Sequence, residues 1–280
     1  MRQLLFCFSL VLLLLGCTEP AGQSKASTAS AQVTVLSESF LMPGLNRSRQ
    51  VRLYLPPGYE NSAKRYPVLY MHDGQNLFDE ATAYAGEWGA DEILDELAAT
   101  GQLELILVGI DNGAEKRMTE LNPVDHAEFG KAEGKAYLEF IANTVKPYID
   151  RHYRTLPDVQ HTAIMGSSMG GLISHYAILQ FPQVFGKAGI FSPSYWALGE
   201  QIHWFEQQPV AADARLYFYM GAKEGGPMVP DMARLYQAVL STGHAPERTR
   251  YHLVAQAEHN EAAWRNEFKT AVLWLFNDNT

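Results

Sequence analysis

An α/β fold, with a mostly parallel central sheet and helices on both faces, is expected from three features of the sequence. Short apolar runs that read as strands alternate with segments whose apolar residues recur at helical spacing. One such run, Ala163-Ile164-Met165, enters the elbow Gly166-Ser167-Ser168-Met169-Gly170 and turns at once into a helix. The chain has 280 residues, 47% of them hydrophobic and 19% charged, which suits one large α/β unit and argues against disorder.

The N-terminus reads as a targeting segment. Met1-Arg2 is a short positive start, and Leu4 to Leu15 is an almost unbroken apolar run, too short for a permanent span but suited to a signal-peptide core. It ends in Leu14-Leu15-Gly16-Cys17, which resembles a bacterial lipobox. That resemblance implies cleavage before Cys17 and a lipid on its thiol. Residues 1–16 are thus expected to be a lipoprotein signal peptide, 17–32 a Ser/Ala/Thr-rich flexible tether, and 33–280 a single catalytic domain. The expected location is the bacterial cell envelope, periplasm-facing or on the outer membrane, with membrane contact only through the lipid on Cys17. The other cysteine, Cys7, falls in the signal segment, so no disulfide is expected after cleavage.

Within the domain, Val33 to Met42 and Arg49 to Leu55 alternate as an antiparallel pair that Pro56-Pro57-Gly58 closes. Tyr66 to Met71 is a buried strand. Asp91, Ile93, Leu94 and Leu97 mark an amphipathic helix, and Leu103 to Ile110 the strand after it. Tyr137, Phe140, Ile141, Val145 and Ile149 repeat at helical spacing to about His152. The helix after the elbow runs to Phe181-Pro182, where proline ends it. Further strands are read at Ala188 to Phe191, Leu216 to Met220 and Tyr251 to Ala255, with helices at about Asp231 to Leu240 and Glu261 to Phe276. In such sheets the reactive groups collect beyond the carboxyl ends of the strands.

A net charge of -9 argues against a nucleic-acid partner. No Gly-x-Gly-x-x-Gly or Gly-Lys-Ser/Thr loop occurs, so no nucleotide cofactor is expected. His72-Asp73 has no third ligand at useful spacing, so no metal is expected either. The chemistry centres on Ser168 at the tip of the elbow, where Gly166 and Gly170 leave room for the sharp turn. A serine nucleophile needs a base and an acid. Of nine histidines, His259 fits best, because it follows the last strand. His252 lies inside that strand, His161 at the wrong end of the sheet, and His175 on the helix after the elbow, where a structural role is expected. Glu224, just past Leu216 to Gly221, is the expected acid, and Asp231 is its rival. Glu258 and Glu261 are expected to be solvated or capping groups. An oxyanion hole is expected from the amides of Met169 and Gln75, the latter on the loop that leaves Tyr66 to Met71. Trp88, Tyr195 and Trp196 are candidates for an aromatic wall, and Arg117 and Glu120 for substrate polar groups. The loops from Gly113 to Gly134 and from Ala197 to Pro209 are expected to shape the pocket.

Five ordered blocks carry a family resemblance. They are Tyr66 to Phe78, Val108-Gly109-Ile110-Asp111-Asn112, Gly166-Ser167-Ser168-Met169-Gly170-Gly171, Ser192-Pro193-Ser194-Tyr195-Trp196, and His259-Asn260-Glu261-Ala262-Ala263-Trp264. Together they resemble the putative-esterase family of α/β-hydrolases, which includes feruloyl and acetyl-xylan esterases, siderophore trilactone esterases and mycolyltransferases. The resemblance implies an α/β-hydrolase fold and a serine carboxylic-ester hydrolase of small-molecule esters that needs no cofactor. It also implies Ser168 as nucleophile, His259 as base, Glu224 as acid, and Gln75 and Met169 as oxyanion donors. The wording of the blocks is nearest the siderophore-esterase side. The alternatives are an acyltransferase that uses the same acyl-enzyme, and a non-catalytic binding lipoprotein.

Overall fold

A computed structural model describes residues 25–277. The expected signal peptide, the lipid site Cys17 and residues 17–24 of the expected tether lie outside the described residues. Ten strands occur in chain order: β1 (Val33–Val35), β2 (Phe40–Met42), β3 (Arg47–Arg49), β4 (Val51–Tyr54), β5 (Val68–His72), β6 (Ile106–Ile110), β7 (Thr162–Ser167), β8 (Lys187–Phe191), β9 (Arg215–Gly221) and β10 (Thr249–Val254). Eight of them form one sheet in the order β1-β4-β6-β5-β7-β8-β9-β10. β1 and β4 run antiparallel at one edge, and every pairing from β6 to β10 is parallel.

The helices are α1 (Ala90–Ala99), α2 (Arg117–Glu120), α3 (Gly134–Phe140), α4 (Lys146–His152), α5 (Met169–Gln180), α6 (Ile202–Gln207), α7 (Met228–Ser241) and α8 (Glu261–Phe276). Strand side chains alternate between the two faces of a sheet, and the central strands, mostly apolar, are buried at every position, so both faces are covered. Val68, Tyr70, Ile164, Leu216 and Phe218 meet α3 to α7 on one face. Leu69, Met71, Met165, Tyr217 and Tyr219 meet α1 and α8 on the other. Among the described residues no helix is long and apolar enough to cross a membrane.

The expected N-terminal ribbon divides in two. β1 pairs with β4, while β2 and β3 form a separate two-stranded hairpin. The chain bends at Ser37-Glu38, and the left-handed backbone at Gly44 (φ 80) and Asn46 (φ 51) closes the hairpin tightly. This swings Phe40 and Met42 into the core. The helix expected over 137–152 is broken between α3 and α4 by a π turn at Ile141–Val145. Pro147, with no N–H to donate and a ring that crowds the preceding turn, accounts for the break.

Residues 25–32, expected to belong to the tether, lie along segment 79–91. Ser27 Oγ donates to Asp79 at 2.9 Å, and the Thr28 amide donates to the same carboxylate at 3.1 Å. The Thr28 hydroxyl donates to Glu87 at 3.0 Å and accepts from the Glu80 amide at 2.8 Å. The Ser30 amide donates to Asp91 Oδ2 at 2.7 Å. Ser- and Thr-rich chain stays mobile when its polar groups are satisfied by water alone; here fixed carboxylates take that place.

Asp91 is fully buried, and burial, reinforced by the neighbouring Glu92, pushes its carboxyl up to about 7 from 3.8. The folded state thus favours the protonated form more than the unfolded chain does. The stability this carboxyl contributes is present at acid pH and is lost as pH rises from 3.8 through about 7. Urea unfolding of the wild type and Asp91→Asn across that window should show the wild type losing stability relative to the variant as pH rises. A pH-independent difference between the two would contradict this.

Candidate active site

Ser168 joins β7 to α5 in a conformation rare for a side-chain-bearing residue, φ 59 and ψ -121. Such backbone costs on the order of 1–3 kcal/mol and persists only where the surroundings impose it. Here they do. The Ser168 amide donates to the Phe191 carbonyl at 3.0 Å, and the Ser194 amide donates to the Ser168 carbonyl at 3.1 Å. The helix starts so close to β8 that a Cβ on Gly171 would lie 2.4 Å from the Phe191 oxygen. One on Gly166 would lie 2.8 Å from the His72 ring and 3.0 Å from the Gly170 backbone. Gly170 itself is less crowded, at 3.3 Å, so the glycine with least room is Gly171 rather than Gly170. The Ser168 hydroxyl is half-buried and lies 3.1 Å from Ser194 Oγ, its hydrogen-bond partner in this conformation.

Glu224 and His259 meet because two loops converge. A Cβ on Gly221 would lie 2.3 Å from the Ala257 carbonyl, and the Lys223 amide donates to that same carbonyl at 3.1 Å. The buried Glu224 carboxylate accepts from His259 Nδ1 at 2.8 Å on Oε2. On Oε1 it accepts from the Gly221 amide at 2.8 Å and from Ser192 Oγ at 2.6 Å. Ser192, left-handed at φ 43, accepts in turn from Trp264 Nε1 at 2.9 Å. A carboxylate can only accept, so Nδ1 carries the proton and Nε2 is the basic nitrogen. The His259 ring stands edge-on to Trp264, with centroids 5.1 Å apart. Asn260 caps α8 through a 2.9 Å bond from the Ala263 amide, which sets the helix carrying Trp264. Asp231 sits in the first turn of α7.

On the other side of Ser168, β5 ends at a left-handed Asp73 (φ 56) and a 3₁₀ turn, Gly74–Asn76. A Cβ on Gly74 would lie 2.8 Å from the Gly109 backbone, so the turn seats directly against β6. The Gln75 side chain accepts from the Asn112 amide at 3.0 Å, which holds the two loops together. The amides of Gln75 and Met169 both fall in the first turn of a helix, where backbone donors have no intrahelical acceptor. Asp73 grips Arg117 with two bonds, Nε to Oδ1 at 2.6 Å and Nη2 to Oδ2 at 2.9 Å, and also takes Asn112 Nδ2 at 2.6 Å.

Ser168, His259, Gln75, Asp73, Asn112 and Arg117 border one cavity of about 610 Å³. The expected aromatic wall holds only in part. Trp88 lines the cavity, but Tyr195 is buried on His175 Nδ1 and Trp196 packs against His126 and Phe129. Trp264 and the fully exposed Tyr84 supply the other aromatic faces. Arg117 lines the cavity, whereas Glu120 is buried on Arg47 and Arg49. Residues 113–134 contribute Ala114 and Arg117; Tyr84, Ala85 and Trp88 also line the cavity, and no residue of 197–209 does. Glu261, expected to be a solvated or capping group, is half-buried in the first turn of α8 beside the cap Asn260 and lines the same cavity. Ser192, Ser194 and Trp264 were not legible as site members. Their blocks carry the resemblance, but no local pattern marks their pairings.

A family model described as Putative esterase matches residues 43–275. The chain belongs to this esterase family. It is a carboxylic-ester hydrolase. The Bacillus subtilis (strain 168) protein named Uncharacterized protein YbbA is 30% identical over 249 residues, 83% of this chain and 94% of that one. The Iron(III) enterobactin esterase of Dickeya dadantii is 26% identical over 266 residues, 88% of this chain; the match spans only 55% of that longer protein. A solved ferulic acid esterase superposes with a TM-score of 0.66 at 19% identity, over 88% of this chain and 98% of that one. The fold is that of the α/β-hydrolases.

The crowding at the elbow gives a direct test. Gly171→Ala should cost about 1–3 kcal/mol of stability, as overpacking does, and should sharply reduce ester hydrolysis. Chemical denaturation with parallel rate measurements checks both. A variant as stable and active as the wild type would mean that α5 has room to move away from Phe191.

Proposed function

We propose that the esterase acts through Ser168, His259 and Glu224 by way of an acyl-enzyme. The observation that carries this reading is the 2.8 Å bond between His259 and the buried Glu224, in a cavity that Ser168 also lines. The Ser168 hydroxyl turns from Ser194 toward His259 Nε2, gives up its proton there and attacks the ester carbonyl. The carbonyl oxygen takes negative charge and is held by the amides of Met169 and Gln75. His259 then returns the proton to the leaving alcohol. In the second half, water gives a proton to His259, attacks the acyl-enzyme and frees the acid. Glu224, fixed by Gly221 and Ser192, holds the imidazole ring and stabilises its charged form. The substrates are small-molecule esters of aryl or siderophore type, by likeness to the relatives.

A graded series tests these roles. A fluorophosphonate should label Ser168 alone, as read by peptide mapping. Ser168→Ala and His259→Ala should each lose roughly 10⁴-fold or more in kcat, and Glu224→Gln on the order of 10⁴-fold. Ser192→Ala should lose about tenfold or more, the worth of one bond to a charged group. Labelling elsewhere, or a Ser168→Ala enzyme that still turns over, would remove the mechanism.

We also propose that Cys17 carries a lipid that holds the esterase at the cell envelope. The support is the positive start, the apolar run and the Gly16-Cys17 junction. Feeding cells an alkyne fatty acid should tag the wild type and not Cys17→Ser, and the variant should leave the membrane fraction. Equal tagging and partitioning of both would refute the anchor.

A further inference from the structure

We propose that the cavity selects esters carrying no negative charge near the scissile bond, and that Glu261 is the residue that turns anionic esters away. This rests on the hydrolase reading above, and it sets the substrate class within that reading.

Arg117 is the only lysine or arginine among the described residues lining the cavity, and taken alone it looks like an anion receptor. Its charge is already matched. Asp73 takes the Nε–Nη2 edge of the guanidinium at 2.6 and 2.9 Å and is itself held by Asn112. The guanidinium charge is therefore matched by a carboxylate before any substrate arrives. Glu261 adds a second carboxylate to the same cavity. It stands in the first turn of α8, where the helix dipole favours an anion. Burial and the charge of Asp73 raise its carboxyl above its usual range, while His259 and Arg117 oppose that rise. Glu261 is thus within electrostatic reach of each of these groups. With His259 neutral, the cavity holds two carboxylates against one guanidinium.

An anion entering this space meets uncompensated negative charge in a partly water-excluded site, a penalty on the order of tenfold or more in affinity. An uncharged ring avoids it. Trp88 and Trp264, stacked with centroids 5.9 Å apart, border the same space, and Asn76, whose Oδ1 accepts from the Tyr84 amide, presents its side-chain amide there. The chemistry admitted is a neutral aryl or alkyl ester of a hydroxylated alcohol. A ferric tris-catecholate, a polyanion, is disfavoured, so of the two substrate types named above the aryl esters and uncharged siderophores are the ones admitted.

Two measurements test this. The first compares kcat/KM for nitrophenyl pentanoate and mono-nitrophenyl succinate, matched in length, at mildly alkaline pH. The neutral ester should be preferred by about tenfold or more, and Glu261→Gln should narrow that ratio several-fold. The second needs no turnover and no variant: binding of 4-hydroxycinnamide and 4-hydroxycinnamate to the wild type, read by tryptophan fluorescence. The amide should bind about tenfold tighter, with the gap closing as salt is raised. Equal handling of neutral and anionic partners, or a Glu261→Gln ratio unchanged from the wild type, overturns the proposal. Loss of turnover on both esters with the binding preference intact sinks the hydrolase reading and leaves the charge rule standing.

Discussion

The backbone of Phe191, at the end of β8, is where the site is held together. Its carbonyl takes the Ser168 amide at 3.0 Å and stands where a side chain on Gly171 would have to be. The next residue, Ser192, turns left-handed and directs its hydroxyl at Glu224. One close approach between α5 and β8 therefore sets both the serine at the elbow and the support of the carboxylate. The unfavourable backbone at Ser168, Ser192 and Asp73 gathers at the carboxyl end of the sheet. Strain of this kind persists when the rest of the fold over-determines it, and two fully buried clusters on either face of the sheet do so.

The basic nitrogen of His259 owes its availability to Glu224 and the groups that support it, of which Trp264 also lines the cavity. Glu224 has one oxygen filled by Gly221 and Ser192, which leaves the other for His259. Trp264 orients the Ser192 hydroxyl and also packs edge-on against the imidazole. Because α8 begins immediately after His259, its Asn260 cap fixes the base and its support together.

The N-terminal segment reaches the site by a different route. Thr28 and Ser27 hold Asp79, Glu80 and Glu87, and Thr82, between them, donates to the carbonyl of Gln75 at 2.7 Å. The same loop carries Tyr84 and Trp88 to the cavity rim, where the Trp88 amide bonds to Asn76 at 2.9 Å. The stretch leading to the folded domain thus braces the loop that carries Tyr84 and Trp88 to the cavity.

The sequence by itself determined the α/β class, the elbow at Ser168 and the position of Ser168, Glu224 and His259 just past three strand ends. These follow from local periodicity, from the steric demands of one sharp turn and from the rule that parallel strands end on the same side. Glu224 stood out over Asp231 for the same reason, being nearer its strand end. What only the tertiary structure decided depends on contacts between distant segments. A local pattern could not show that Arg117 is closed on Asp73, that Tyr195 serves His175, or that Ser192 bridges Trp264 and Glu224. Nor could it show that residues 25–32 find carboxylates instead of water, or that a bend at Ser37-Glu38 splits one ribbon into two. Each of these turns on which polar group arrives first at a given partner, and packing across the whole domain decides that.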